Sequence, residues 1–197
     1  LGLEYKEYNP ADFNDWLQRK FTSGLDFPNL PYLIDGDVKI TESKAIPVYL
    51  ILKAKREDLL GKTDVDKVQM VMVSGVLEDI VNAVRHVGSD ADPVAALNKK
   101  NEEIIKPKLE YLNKFIGTKQ FVLGDLTLVD FGVYMLNLVL NVFFNALSVP
   151  SPVSNYENII RVVTNVEKLP EVAEYLESDK AKRPFTSEAY LPKPKAN

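Results

Sequence analysis

Residues 25–50 read LDFPNLPYLIDGDVKITESKAIPVYL and hold the groups in this chain best suited to chemistry. Asn29, Leu30 and Pro31 precede a short apolar strand, and Glu42 and Ser43 stand at a helix mouth. Together they suit a small peptide-like anion. Backbone beside a strand pairs with its amides, and the N–H groups of a helix start receive its carboxylate. Other chemistries are excluded by what the chain lacks. It has no cysteine, so disulfides, thiolate metal sites and thiol nucleophiles are absent from it. His86 is the only histidine, without neighbours that complete a zinc site or a Ser-His-Asp triad. It reads as a structural residue, and no metal site is expected.

The bulk numbers set the frame for these groups. A chain of 197 residues, 46% hydrophobic and 26% charged, has room for one domain or two small ones with a sizeable core. The net charge of −4, without a basic cluster, speaks against nucleic acid as the main ligand. The most apolar stretch, 133–147, is interrupted by Asn137, Asn141 and Asn145, and no run approaches the roughly 20 residues of a membrane span. A cytoplasmic protein is expected.

The elements that must position the site follow from periodicity. Residues 3–8, LEYKEY, alternate as a half-buried strand does. A short helical turn is expected over 12–22, with Phe13, Trp16 and Leu17 on one side. Strands are expected at 32–34 and 38–40, joined at Asp35-Gly36, then a helix over 41–55. After Gly61 the strand signals stop. Residues 66–87 place Val68, Met72, Val76, Ile80 and Val84 at steps of four, one continuous apolar face. Helices are expected over 92–116, closed by Gly117, over 127–147, and over 156–165 and 170–178. The polar tail after Arg183 is expected on the surface. The chain therefore reads as a small α/β unit over 1–56, a linker near 57–64, and an all-α domain over 64–197. Thr127 and Asp130 have capping-box spacing ahead of the third long helix, a feature that stabilises a helix start by roughly 1 kcal/mol.

These segments resemble the glutathione S-transferase family. LDFPNLPYLIDGDVKITES is most similar to the mu class, and ESKAIPVYL resembles the helix entrance of several other classes. FVLGDLTLVDFGVY resembles the folding motif of the family's helical domain, and VEKLPEVAEYLES a late helix of it. The resemblance implies a thioredoxin-like N-terminal domain followed by an all-helical C-terminal domain. It implies glutathione as co-substrate, a hydrophobic electrophile as second substrate, a detoxification role and a homodimer. It implies that Leu30, after a cis bond to Pro31, pairs with the cysteinyl part of glutathione, with Asn29 in the same motif. Ser43 would receive the γ-glutamyl carboxylate and Glu42 its ammonium. Trp16 would wall the pocket, Lys20 would pair with the glycyl carboxylate, and Asp79 would reach the γ-glutamyl group of the neighbouring subunit. Phe27 matches an aromatic key that plugs the partner. Plainer readings stand beside these: a trans turn at Pro31, N-capping at Glu42-Ser43, a buried anchor at Trp16, a solvated Lys20, a polar-face acid at Asp79, and a loop aromatic at Phe27.

The sequence also departs from the pattern. Phe13 stands near the position of a mu-class arginine, Pro47 lies early in a helix, and Ser89 aligns loosely with a second-site tyrosine. The family's hydroxyl donor, a Tyr or Ser, is expected upstream of Leu1, with the first strand and most of the first helix. No catalytic hydroxyl is assigned within this chain, and Tyr5, Tyr8 and Tyr32 lie in other places. Three cases compete for those residues: they are unrecorded, replaced by a partner's element, or lost. Two functions remain open: a glutathione-conjugating enzyme, or a non-catalytic transferase-like subunit of a larger assembly. Peroxidase or isomerase activity on the same scaffold is not separable from the first.

Overall fold

In this computed structural model residues 1–10, 13–183 and 191–193 are described, without the side chain of Phe13. The expected helix start at Asp12, the Phe13 packing and most of the tail after Arg183 lie outside them. The chain divides into two compact units, Leu1–Lys62 and Thr63–Asn197. The first is a mixed α/β unit and the second is all helix, the thioredoxin-like and helical domains of the expected fold.

The first unit holds α1 (Phe13–Lys20), β1 (Tyr32–Asp35), β2 (Val38–Thr41) and α2 (Ala45–Lys53). The strands form an antiparallel hairpin in which Tyr32 faces Thr41 and Asp35 faces Val38. That register puts Gly36 and Asp37 in the loop, one residue later than the expected turn. Gly36 adopts φ +59°. A left-handed first loop residue is what a two-residue hairpin of matching twist requires, and glycine supplies it without a steric penalty. The expected strand over 3–8 is absent: those residues carry no regular structure and are mostly exposed. Alternation alone does not make a strand. A strand also needs a ladder to satisfy its backbone groups, and the one sheet among the described residues has two strands, neither of them this segment.

α2 begins at Ala45, later than the sequence suggests, because Thr41 is spent in β2 and Glu42 turns the chain at φ +75°. Pro47 is therefore the third helical residue. N–H groups in a first turn have no intrahelical acceptor, so its missing donor costs little there. The expected linker near 57–64 instead contains a short helical turn, Glu57–Leu60, with Leu59 buried.

The second unit is built on α3 (Asp64–Arg85), α4 (Pro93–Lys100), α5 (Lys106–Ile116), α6 (Leu128–Ala146), α7 (Glu157–Glu167) and α8 (Pro170–Glu177). α3 and α7 pack on either side of α6 around a core that includes Ile80, Val84, Leu136, Leu140, Phe144, Ile159 and Val162. Gly132 of α6 lets α3 approach closely: a Cβ there would stand 3.0 Å from Leu77 Cδ1. The apolar face of α3 is buried over only part of its length. Ile80 and Val84 are fully buried, whereas Val68 is 69% and Met72 52% exposed.

The segment 92–116, expected to contain a helix closed by Gly117, holds two, α4 and α5. A π-helical turn, Asn101–Ile105, joins α4 to α5. Pro107 follows it, and in a regular helix its ring would press on the carbonyl of Glu103. The wider turn, in which the Lys106 N–H donates to Asn101 O, relieves that crowding. Gly117 ends α5 at φ +55°.

α6 opens on the predicted capping box. Asp130 is fully buried, accepting at Oδ2 from the Thr127 N–H (2.7 Å) and hydroxyl (3.0 Å). Its Oδ1 accepts from the Val122 N–H at 2.7 Å. Burial pushes its carboxyl above the ordinary value, and these donors oppose the shift. The expectation about membrane-length runs needs correction. α6 has 19 residues at mean hydropathy 1.5, long and apolar enough by composition to cross a membrane. It serves instead as the central packing helix of the second unit.

Candidate functional site

The hairpin register brings the key groups of the first unit to one end. Since Tyr32 faces Thr41, Pro31 and Glu42 are the next residues outward on the two arms. Leu30 and Ser43 follow them. The Leu30–Pro31 bond is cis, the geometry the resemblance implies. Trp16 reaches the same end: its ring stacks on Tyr32 at 5.9 Å between centroids and 21° between planes, and it is 5% exposed. Trp16 is thus a buried anchor of α1 on β1, and the exposed part of its ring is small.

The groups are held in distinct ways. The Leu30 N–H donates to Asn29 Oδ1 at 2.9 Å, so the side chain beside it already occupies that donor. Glu42 adopts φ +75°, a conformation that side chains other than glycine rarely take, and strain of this kind collects at ligand sites. Its carbonyl receives the N–H groups of Ala45 (3.0 Å) and Ile46 (3.2 Å). Ser43 is exposed and lies two residues before α2, not at its first position, and Lys44 takes the N-cap. With Ala45 and Ile46 committed and Pro47 lacking a donor, a carboxylate arriving here meets the Ser43 N–H and hydroxyl rather than an open helix end.

Lys20 is the last residue of α1, half-buried, with its ammonium 5.6 Å from the Phe21 ring centre. Asp79 lies in the second unit on α3, where Lys108 Nζ of α5 donates to its Oδ2 at 2.8 Å. Asn82, Ala83, Lys100 and Ile104 line an open hollow of about 340 Å³ beside this pair. Asp79 is therefore already ion-paired within its own unit. His86 caps the end of α3 through its carbonyl, which accepts from Ser89, and so plays a structural part. Among the described residues no group of His, Cys, Asp and Glu is placed to hold a metal.

Two clusters were not anticipated from the sequence. At the far end of the hairpin Asp35 Oδ2 accepts from Tyr49 Oη at 2.6 Å and from Lys53 Nζ. The Lys53 ammonium and then the Tyr49 hydroxyl hold the Asp35 carboxyl below its usual value. Tyr49 and Lys53 are four apart on α2, so their shared face was readable, but their partner was not. Near the start of the chain Tyr8 Oη donates to Asp15 Oδ2 at 2.5 Å, and Arg19 Nε donates to Asp15 Oδ1 at 2.9 Å. The Arg19 guanidinium also lies 4.7 Å from the Tyr8 ring centre. The Asp15 bond raises the Tyr8 phenol above its ordinary value, so its proton is committed to that carboxylate.

Comparison with known proteins gives a consistent picture. The family described as "Glutathione S-transferase, N-terminal domain" matches residues 1–51, and "Glutathione S-transferase, C-terminal domain" matches residues 79–179. A glutathione S-transferase of Dermatophagoides pteronyssinus is 35% identical over 175 residues, 87% of this chain and 74% of that protein. Glutathione S-transferase Mu 4 of Homo sapiens is 32% identical over 199 residues, 98% of this chain and 83% of the relative. The crystal structure of the glutathione S-transferase Blo t 8 superposes with a TM-score of 0.75 at 29% identity, covering 91% of this chain and 82% of the other.

Proposed function

This chain belongs to the glutathione S-transferase family of enzymes, and on that premise we propose that it binds reduced glutathione and joins its thiolate to electrophilic small molecules. The observation that carries the reading is the shared hairpin end, where Leu30 and cis-Pro31, Glu42, Ser43 and the Trp16–Tyr32 stack converge. On this reading the Leu30 backbone pairs with the cysteinyl residue, its N–H exchanging Asn29 Oδ1 for a ligand carbonyl. The Ser43 N–H and hydroxyl take the γ-glutamyl carboxylate, and Glu42 takes the ammonium. Lys20 takes the glycyl carboxylate, and Trp16 backs the wall. In the reaction the thiol gives its proton to solvent, sulfur bonds to the electrophilic carbon, and the leaving group departs with the bonding pair. Asp79 is assigned to the γ-glutamyl group bound by a neighbouring subunit, after exchange of its Lys108 partner. A homodimer, a mu-like first domain, a detoxification role and a cytoplasmic location belong to the same proposal. The mu-like assignment is supported by the segment over 25–43 and the human relative.

The test is a titration of the chain with glutathione, followed by turnover of a chloronitrobenzene. Saturable binding is expected, with product formation where a hydroxyl donor accompanies the site. Ser43→Ala should weaken binding by about 1.5–3 kcal/mol, the weight of a hydrogen bond to a charged group. No binding by the unmodified chain refutes the proposal. Binding without turnover favours the second reading, a non-catalytic transferase-like subunit.

A further inference from the structure

Lys39 of β2 has no part in the site assigned above. It pairs across the hairpin with Ile34 and is exposed, yet its ammonium leaves the sheet for the turn after α1. There Nζ donates to the Ser23 carbonyl at 3.3 Å. The same ammonium fills the space over Gly24, where an added Cβ would stand 2.5 Å from Nζ, and Gly24 adopts φ +69°. The carbonyls just before are satisfied locally. Arg19 O accepts from the Thr22 N–H at 3.1 Å and hydroxyl at 3.2 Å, and Lys20 O accepts from the Ser23 hydroxyl at 3.0 Å. Ser23 O lies three residues beyond Lys20, and it is met by a cation from β2. A positive charge there also complements the C-terminal end of the helix dipole. Leu25 is buried, which holds the chain on the far side of Gly24.

We propose that Lys39 is a positioning residue. It fixes the end of α1 and the start of the following loop against the hairpin, so that Lys20 and the Asn29–Pro31 segment meet one tripeptide at a set spacing. The proposal rests on the glutathione-binding reading for its ligand, but its structural half is measurable without one. Trp16 is the chain's only tryptophan and stacks on Tyr32 of β1, so its emission reports how α1 sits on the hairpin.

Lys39→Met keeps the apolar stem and removes the donor, and Lys39→Arg keeps charge and donor. Lys39→Met should shift the Trp16 emission of the free chain and weaken glutathione binding in calorimetry about three- to tenfold, the weight of one hydrogen bond. Lys39→Arg should restore both. In a Gly24→Ala background the ammonium is already displaced, so Lys39→Met should add nothing further. Unchanged emission in Lys39→Met, failure of Lys39→Arg to restore it, or additive effects with Gly24→Ala would each overturn the proposal. If the unmodified chain binds no glutathione, the functional reading falls, and the emission comparison still decides the role of Lys39.

Discussion

Asp130 and Asp35 are both tied by hydrogen bonds, yet their surroundings move their acidity in opposite directions. Asp130 is buried, and desolvation raises its carboxyl despite three donors. The folded chain thus holds that proton more tightly than the unfolded chain does. The resulting stability is complete below the unfolded value of about 3.9 and is lost as pH rises through the folded value. For Asp35 the Lys53 ammonium lowers the carboxyl. Its contribution is present above the unfolded value and is lost as pH falls through the folded one. Asp130→Asn turns an amide donor toward backbone donors and should cost about 1–3 kcal/mol in urea unfolding at neutral pH. Its stability should also lack the decline from acid toward neutral pH, and a cost under about 0.5 kcal/mol would refute the account. Asp35→Asn should flatten the acid side of the stability profile, and a profile parallel to the unmodified chain below about pH 4 would count against that pairing. The Thr127–Asp130 contact was legible in the sequence because capping partners are three residues apart. The bond to Val122 was not, since a loop brings that N–H back across eight residues.

At the scale of elements, Glu42 shows where local rules give way to the site. It joins β2 to α2 in a left-handed conformation that costs a side chain about 1–2 kcal/mol. Glycine would relieve that strain at some cost in unfolded-chain entropy. Glu42→Gly should therefore stabilise the chain by about 0.5–1 kcal/mol in thermal or urea unfolding while weakening glutathione binding. A change of the same sign in both would show that Glu42 acts only through the fold. Sequence periodicity reached the hairpin and the long helices, since their apolar spacing is local. It failed at residues 3–8, where alternation without a ladder partner leaves an exposed segment. It also missed the start of α2, because a left-handed Glu is not a residue type that announces a turn. The π-helical turn beside Pro107 was missed for a related reason. Periodicity registers side chains, and here the backbone widens around the Pro107 ring without losing the apolar face.

For the whole molecule, the steps of four along α3 identified an apolar face but not what covers each part of it. Ile80 and Val84 are covered by the helical core. Val65, Val68, Val71 and Met72, toward the start of the helix, remain more than half exposed, as does Phe27 of the first unit. Apolar groups clustered on one helix segment are what a self-complementary contact between two copies buries, each copy offering the same patch about a two-fold axis. If two copies meet there, sedimentation should give the mass of two chains at neutral pH. Val68→Glu combined with Met72→Glu should shift that mass to one chain, weakening association roughly 100-fold or more, because two unpaired carboxylates per copy would lose water. Both side chains are exposed in the single chain, so its circular dichroism should not change. A dimer that survives the double substitution places the contact elsewhere, and an unmodified chain that sediments as one copy removes the dimer. In the second case the assignment of Asp79 to a neighbouring subunit's ligand falls with it.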